Sequence, residues 1–300
     1  MNSDIITKNP DATSVSFIDL SHDVLCTTGQ GLVRGVREIR ISNQDEGLSN
    51  GRLCIRINGD PLKCSVSEMT VGQTSVTAIA YADLSSGIMR AGSDPKPGDG
   101  EVILILLIDA NIPDSTMARA GITATEGITV AVQDLGLHFD GMPASGSLRQ
   151  NVVVVSDRDS ELFLRGAGKH TKLGELIGRT TIEAVKSSAE ENGTSIVSHM
   201  SISGMLSDYG YDRDSLYRLS GCEDMSLFIV NMLDRDSDPV ALATVSSAIH
   251  IYNEVQWGLV SEEVGARTVA AVLGSGLGIE VEADSILRML ASTVARYLKG

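Results

Sequence analysis

No stretch of this sequence reaches the roughly 18 consecutive apolar residues that would mark a membrane-spanning helix. The opening segment, MNSDIITKNPDATS, is polar and lacks the apolar centre of a secretory leader. Both absences predict a soluble, unexported protein without membrane insertion. Cysteine is sparse: Cys26, Cys54, Cys64 and Cys222 are scattered with no CxxC spacing, which predicts reduced thiols and a cytoplasmic location. The five histidines, His22, His138, His170, His199 and His250, form no HxxxH or HExxH pair, so no metal is expected. Positive charge is the scarcer sign, 24 Lys and Arg against 39 Asp and Glu for a net charge of -15. This argues against a phosphate-tracking surface, and no nucleic-acid partner is expected.

Nucleotide-cofactor fingerprints are missing as well. Gly29, Gly31 and Gly35 are spaced GxGxxxG rather than GxGxxG, and the segment predicts a turn that lets backbone or ligand approach closely. The stretch Gly166-Ala-Gly-Lys-His-Thr171 is not a P-loop, because His170 separates the lysine from the threonine. GSGLG at Gly274–Gly278 follows no strand. No cofactor is expected. Neither a GxSxG elbow nor a Cys with a matched His is present, which argues against a serine or cysteine nucleophile.

What is present begins with Glu101–Leu137. Val102–Ile108 is a continuous apolar run of strand length, predicting a strand covered on both faces. Pro113, Asp114 and Ser115 supply turn and N-cap chemistry for a helix, in which Met117, Gly121, Ala124, Ile128, Ala131 and Leu135 recur at helical spacing. Thr123, Glu126 and Thr129 form a second row, a carboxylate set among hydroxyls. Such a row is either the solvated side of an amphipathic helix or a catalytic base with its orienting groups.

Around this unit the chain predicts a mixed α/β (α+β) fold: a mixed β-sheet packed by helices, followed by a mainly helical C-terminal lobe. Residues 1–13 read as a disordered tail. Residues 46–63, with Leu53, Ile55 and Ile57 on one face, suggest a hairpin, and Val76–Ala82 and Asn151–Ser156 read as further strands. The loop at 93–100, SDPKPGDG, reads as an exposed connector or lid. The irregular stretch at 138–150 is expected to lie at a ligand-binding strand end. Thr171 predicts the cap of a second helix, in which Gly174 and Gly178 admit a close neighbour and Glu175, Arg179 and Glu183 ladder the outer side. Lys169, His170 and Lys172 sit at that helix's positive end, where N–H groups favour anions. The domain reading is an α/β domain over 14–189 and a helical extension over 190–300, with helical patterns at 205–219, 225–233, 240–257, 262–273 and 283–298.

Four stretches in order, Val24–Gln44, Val76–Gly92, Glu101–Leu137 and Asn151–Val185, resemble the adenosylcobinamide amidohydrolases of cobalamin salvage. Thr123-Ala-Thr-Glu126 and His170-Thr-Lys-Leu-Gly-Glu-Leu-Ile-Gly178 are the specific parts. The resemblance implies hydrolysis of the amide joining aminopropanol to the corrin ring, giving adenosylcobyric acid, in a corrinoid-salvage role associated with archaea and some bacteria. The partner it implies is a small-molecule corrinoid; a homo-oligomer is left open. The chain departs from the family where a Thr- and Gly-rich stretch closed by Asp is replaced by Ala144-Ser-Gly-Ser-Leu-Arg-Gln150, and where Thr28 stands in place of an Asn.

Amide hydrolysis needs an activated water, donors for the tetrahedral oxyanion and an acid for the leaving amine. The expected catalytic residues are Glu126 as base, Thr123 beside it, and His170 and Lys172 as oxyanion or leaving-group partners. Expected substrate contacts are Thr125, Thr129, Gly166, Gly168, Thr171, Glu175, Ser145 and Ser147. Two competing readings are a corrinoid-binding or sensing protein without chemistry, and an amidase for another tetrapyrrole side chain.

Overall fold

The computed structural model describes residues 5–17, 22–27, 29–44, 48–194, 201–282 and 284–300. The chain forms two compact units, one of residues 1–137 with 143–194, the other of residues 138–142 with 195–300.

The first unit opens with β1 (Ile5–Asn9), β2 (Ala12–Ser16), β3 (His22–Cys26), β4 (Gly31–Val36), β5 (Glu38–Ser42), β6 (Leu48–Ser49) and β7 (Arg52–Arg56). After a short 3-10 turn come β8 (Ser65–Val71), β9 (Thr74–Asp83), β10 (Ile88–Met89), β11 (Glu101–Ile108) and the helix α1 (Asp114–Asp134). The hairpin of β12 (His138–Phe139) and β13 (Met142–Pro143), whose residues up to Met142 belong to the second unit, precedes β14 (Gly146–Ser147), β15 (Arg149–Asp157) and α2 (Lys172–Glu191) in the chain.

The main sheet has the order β4-β3-β15-β11-β9-β8, in which β11 and β15 are parallel and the other neighbours antiparallel. All eight residues of β11 are buried, as a continuous apolar run predicts for a strand covered on both sides. Side chains alternate across the sheet. Ile103, Ile105, Leu107, Val153 and Val155 join a core with Val15, Ile39, Ile41, Leu53 and Ile55 of the second sheet, ordered β1-β2-β5-β7-β6. The opposite face carries the two helices, α1 against β15 and α2 against β9 and β8. The result is three layers: sheet, sheet, helix pair.

Gly127 sets the spacing between the helices. A Cβ there would meet Thr181 Cγ2 at 3.0 Å and the Gly178 carbonyl at 3.5 Å, so glycine lets α1 sit against α2 without displacing Thr181. The expected apolar stripe of α1 is the face that packs, with Met117, Ala124, Ile128, Ala131 and Leu135 all buried.

Three expectations are corrected. Ile5–Asn9 and Ala12–Ser16 pair as an antiparallel hairpin where a disordered tail was read, because the polar residues of β1 face solvent while Ala12 and Val15 enter the core; residues 1–4 lie outside the described part. The first turn of α1 has no side-chain cap because Pro113, which carries no side-chain acceptor, occupies the cap position, and the Asp114 carboxylate takes Arg34 Nη2 on both oxygens at 2.9 Å. The stretch 138–150 leads into the amino end of β15, not to a carboxyl strand end. The glycines at 29, 31 and 35 answer to backbone conformation, with φ of +81°, +64° and +67° in the β3–β4 region, and no atom lies within 4 Å of a Cβ at Gly29 or Gly31. The 93–100 loop is tied down at its end: a Cβ on Gly100 would overlap the Ser86 carbonyl, and one on Gly98 would overlap Gly87.

The second unit is helical among its described residues, apart from the β12 turn. Its helices are α3 (Ile202–Ser207), α4 (Arg213–Ser220), α5 (Met225–Arg235), α6 (Pro239–Gln256), α7 (Glu262–Leu277) and α8 (Ile286–Lys299). Their starts are legible as caps: Ser201, Asp212, Asp224, Asp238 and Ser261 each accept a first-turn N–H. The single helical pattern expected over 205–219 is two helices, because Gly210 turns the chain at φ +84° and Asp212 starts a new one. Leu216, Phe228, Val245, Leu273, Leu290 and Val294 are fully buried in this unit's core. No helix among the described residues is long and apolar enough to cross a membrane.

Two predictions follow from burial. Cys26, Cys54 and Cys64 are buried and Cys222 is partly exposed, and burial pushes the Cys64 thiol up to about 12. Iodoacetamide at neutral pH will modify Cys222 in the native protein and the other three only after denaturation; mass spectrometry showing native modification of Cys64 would contradict this packing. Glu101 is buried at the mouth of the parallel pair, accepting the Asn58 N–H at 2.6 Å and facing Arg149 Nη2 at 2.7 Å. Burial raises its carboxyl above the ordinary value, with Asn58 and Arg149 offsetting part of the rise. The folded state thus holds this proton more tightly than the unfolded chain. The stabilisation from this group is fully present below the unfolded pKa and is lost as pH rises through the folded one. Relative to wild type, Glu101→Gln will gain stability in urea as pH rises from about 4 to about 7, and a difference moving the other way would reject the buried titration.

Candidate functional site

The site lies within the first unit, where α1 meets the loop that runs from β15 to α2. Ser115, Arg119, Ile122 and Glu126 stand at i, i+4, i+7 and i+11, one face of α1. Arg165, Gly166, Ala167, Gly168, Lys169 and His170 form the opposite wall, and together with Thr116 and Thr123 these residues enclose a cleft of about 420 Å³.

The helix start is pinned before the cleft begins. Arg34 bridges Asp114 of α1 to the buried Asp23 of β3, and Arg158 Nε approaches the same Asp23 carboxylate at 3.3 Å. A buried carboxylate shared by two guanidiniums holds strand, helix and loop at one corner.

Hydroxyl groups then hold the loop. Thr116 Oγ1 donates to the Arg165 carbonyl at 2.9 Å, and Thr123 Oγ1 donates to the Ala167 carbonyl at 2.7 Å. Thr171 Oγ1 donates to the Gly168 carbonyl at 2.8 Å and accepts the Gly174 N–H at 3.1 Å, which makes it the cap of α2 as its sequence predicts. Gly174 is required here: a Cβ would sit 2.0 Å from the Gly168 carbonyl oxygen. At Gly178 a Cβ would meet nothing within 4 Å, so the close neighbour expected at both glycines is found at Gly174 alone.

With the loop carbonyls engaged by threonines, its amides are left over. Among the described residues, none of the N–H groups from Arg165 to His170 donates a hydrogen bond within the protein. Successive unengaged amides beside a helix start form a concave donor surface suited to negative charge. Across the cleft, Glu126 Oε1 receives Lys169 Nζ at 2.9 Å, and its Oε2 has no partner among the described residues.

Of the residues expected from sequence, Thr123, Glu126, Gly166, Gly168 and His170 line this cleft. Thr123 is buried and supports the loop, while Glu126 and His170 are exposed. Thr171 borders the cleft as the α2 cap. The others do not line it. Lys172 is paired with Glu175, which also meets Arg179 at 3.3 Å, and the Lys172 hydrogen bond holds the Glu175 carboxyl below its ordinary value. Thr125 donates back to the Gly121 carbonyl. Thr129 Oγ1 lies 2.8 Å from the Ser145 carbonyl, tying α1 to the stretch before β14. Ser145 Oγ accepts the Ala91 N–H, and Ser147 Oγ donates to the Arg149 carbonyl; both support the β10–β14 pairing.

Sequence reasoning missed Ser115, Thr116, Arg119, Ile122 and Arg165. Arg119 carried a signal, being seven residues before Glu126 on the same helix face. Arg165 carried none, since only the tertiary path of its loop brings it to α1. Among the described residues, no group of three or more His, Cys, Asp or Glu side chains is placed to hold a metal ion.

Fold and cleft define a layered α/β domain in which Glu126 and a loop with unengaged amides line one cleft. Residues 62–195, from the turn before β8 to just beyond α2, match the family model of adenosylcobinamide amidohydrolase. The resemblance read from the sequence is borne out over these residues; the Val24–Gln44 stretch lies before the match. An uncharacterized protein of Methanocaldococcus jannaschii is 41% identical over 98 residues, which span 30% of this chain and 38% of that protein's length. The crystal structure of the PH0078 protein from Pyrococcus horikoshii OT3 aligns at a TM-score of 0.33 with 10% identity, covering 63% of this chain and 80% of that one.

The support given by Thr123 is directly measurable. Thr123→Val keeps the side-chain shape but leaves the Ala167 carbonyl without its donor, at a cost of about 1–3 kcal/mol. Urea unfolding should show this loss together with faster amide exchange at Thr171 and Gly174, whose N–H groups bond to Gly168 and to Thr171 Oγ1. Unchanged stability and exchange would remove Thr123 as the loop's anchor.

Proposed function

We propose that this protein hydrolyses the amide that joins the amino alcohol to the corrin ring of adenosylcobinamide, releasing adenosylcobyric acid. The observation that carries the proposal is the Glu126 carboxylate facing the unengaged amides of the 165–170 loop, inside the segment matched to the amidohydrolase family. A cleft of this size lies in the range of small-molecule sites. It accommodates the amide-bearing arm while the much larger macrocycle remains at its open mouth.

Glu126 Oε2 accepts a proton from water as the oxygen attacks the amide carbon. Negative charge gathers on the former carbonyl oxygen, and the loop amides with His170 donate to it. Collapse of the tetrahedral intermediate breaks the C–N bond, with the proton returned from Glu126 to the departing nitrogen. Lys169 holds Glu126 by one oxygen and keeps the other turned to the cleft. Lys172 has no part in this scheme, because it is engaged by Glu175 on the outer side of α2.

The departure from the family at Ala144–Gln150 falls outside the cleft, where Ser145 and Ser147 serve strand pairing, which favours a catalytic over a purely binding role. Thr28, the other departure, lies outside the described residues.

The test is turnover of adenosylcobinamide by the purified full chain, followed by chromatography and mass spectrometry of the corrinoid. Glu126→Gln should lower kcat by at least about 100-fold, in the range of general-base removal, while leaving corrinoid affinity and thermal stability near wild type. Near-normal turnover by this variant would remove Glu126 from the mechanism, and absence of adenosylcobyric acid with wild-type protein would reject the reaction.

A further inference from the structure

The donor wall of the cleft exceeds what amide hydrolysis requires. One tetrahedral oxyanion is served by two or three donors, and the loop amides already supply them. Arg119 and Arg165 remain. Arg119 makes no hydrogen bond or ion pair with any described residue, and the Arg165 guanidinium stacks over the Phe163 ring, 5.5 Å from its centroid. In a chain with 39 acidic against 24 basic residues, these two guanidiniums without a carboxylate partner line the same cleft. The cleft's own charged set is reversed, with Arg119, Arg165 and Lys169 against Glu126 alone.

We infer that this end of the cleft binds a phosphate group. Guanidinium forks match phosphate oxygens in paired hydrogen bonds, and the adjoining loop amides add donors of the same polarity. Position selects where the phosphate belongs on the substrate. Arg119 is seven residues before Glu126, about 10 Å along the helix axis. An amide carbon and a phosphorus linked through a two-carbon amino alcohol are five bonds apart. With a water between Glu126 and the amide carbon, and an arginine side chain reaching toward the phosphate, that arm spans the interval. The preferred substrate is therefore a corrinoid amide whose amino-alcohol arm is esterified with phosphate. This substrate assignment rests on the amidohydrolase reading; the anion site itself does not.

Calorimetric titration of the full chain with inorganic phosphate, and separately with the O-phosphate of 1-amino-2-propanol, tests the site without turnover. Both are expected to bind saturably and to compete. Arg119→Ala and Arg165→Ala, both changes at exposed positions, should each weaken binding about tenfold. In hydrolysis assays, Arg119→Ala should raise KM for the phosphorylated corrinoid amide about tenfold more than KM for the unphosphorylated one. Equal phosphate affinity in wild type and both variants, or no binding at millimolar phosphate, overturns the site. Simultaneous binding of inorganic phosphate and the amino-alcohol phosphate overturns the substrate assignment, since it places free phosphate in the arginine site. Competitive, arginine-dependent binding combined with no hydrolysis of either amide upholds the anion site and rejects the amidohydrolase reading alone.

Discussion

Glu101–Ile108 has no side that meets water, and the rest of the first unit is arranged to keep it so. A strand buried on both faces needs one layer against its odd residues and another against its even ones. The N-terminal sheet supplies the first layer, through Val15, Ile39, Ile41, Leu53 and Ile55. The helix pair supplies the second. Removing one large side chain from such a position, Leu104 for example, would cost about 2–5 kcal/mol, because the surrounding layers close only partly over a cavity.

The cleft is a consequence of that layering. Since β11 and β15 run parallel, the chain must cross over between them, and α1 is part of the crossover. The helix therefore starts at the carboxyl end of β11, beside the loop that leaves the same end of β15. Two segments more than forty residues apart in sequence face each other there, and the threonines at 116, 123 and 171 convert proximity into a defined loop by engaging its carbonyls. Once those acceptors are engaged, the loop has mainly donors to offer. The unengaged amides of the cleft loop thus follow from how the loop is anchored.

The charge of the molecule and the charge of the cleft point in opposite directions. Acidic residues outnumber basic ones over the chain, 39 to 24, while Arg119, Arg165 and Lys169 gather at one cleft.

Local chemistry made much of this legible in advance. The apolar run of β11, the 3.6-residue stripe of α1, Thr171 as a cap and the alternation around Leu53, Ile55 and Ile57 each encode an element through short-range geometry, and each appears in the structure. The tail reading of residues 1–13 fails where β1 forms, because an edge strand with solvent-facing polar residues has no strong pattern of its own and acquires its conformation from β2. The same limit applies to the site. Sequence spacing places Thr123 and Glu126 on one helix, and Gly166, Gly168 and His170 on one loop. It does not tell that the helix and loop face each other, that Arg119 and Arg165 join them, or that Lys172 and Glu175 turn away. Those facts depend on the path of the crossover and on which groups are already hydrogen-bonded, and both are decided by tertiary packing rather than by neighbours in the chain.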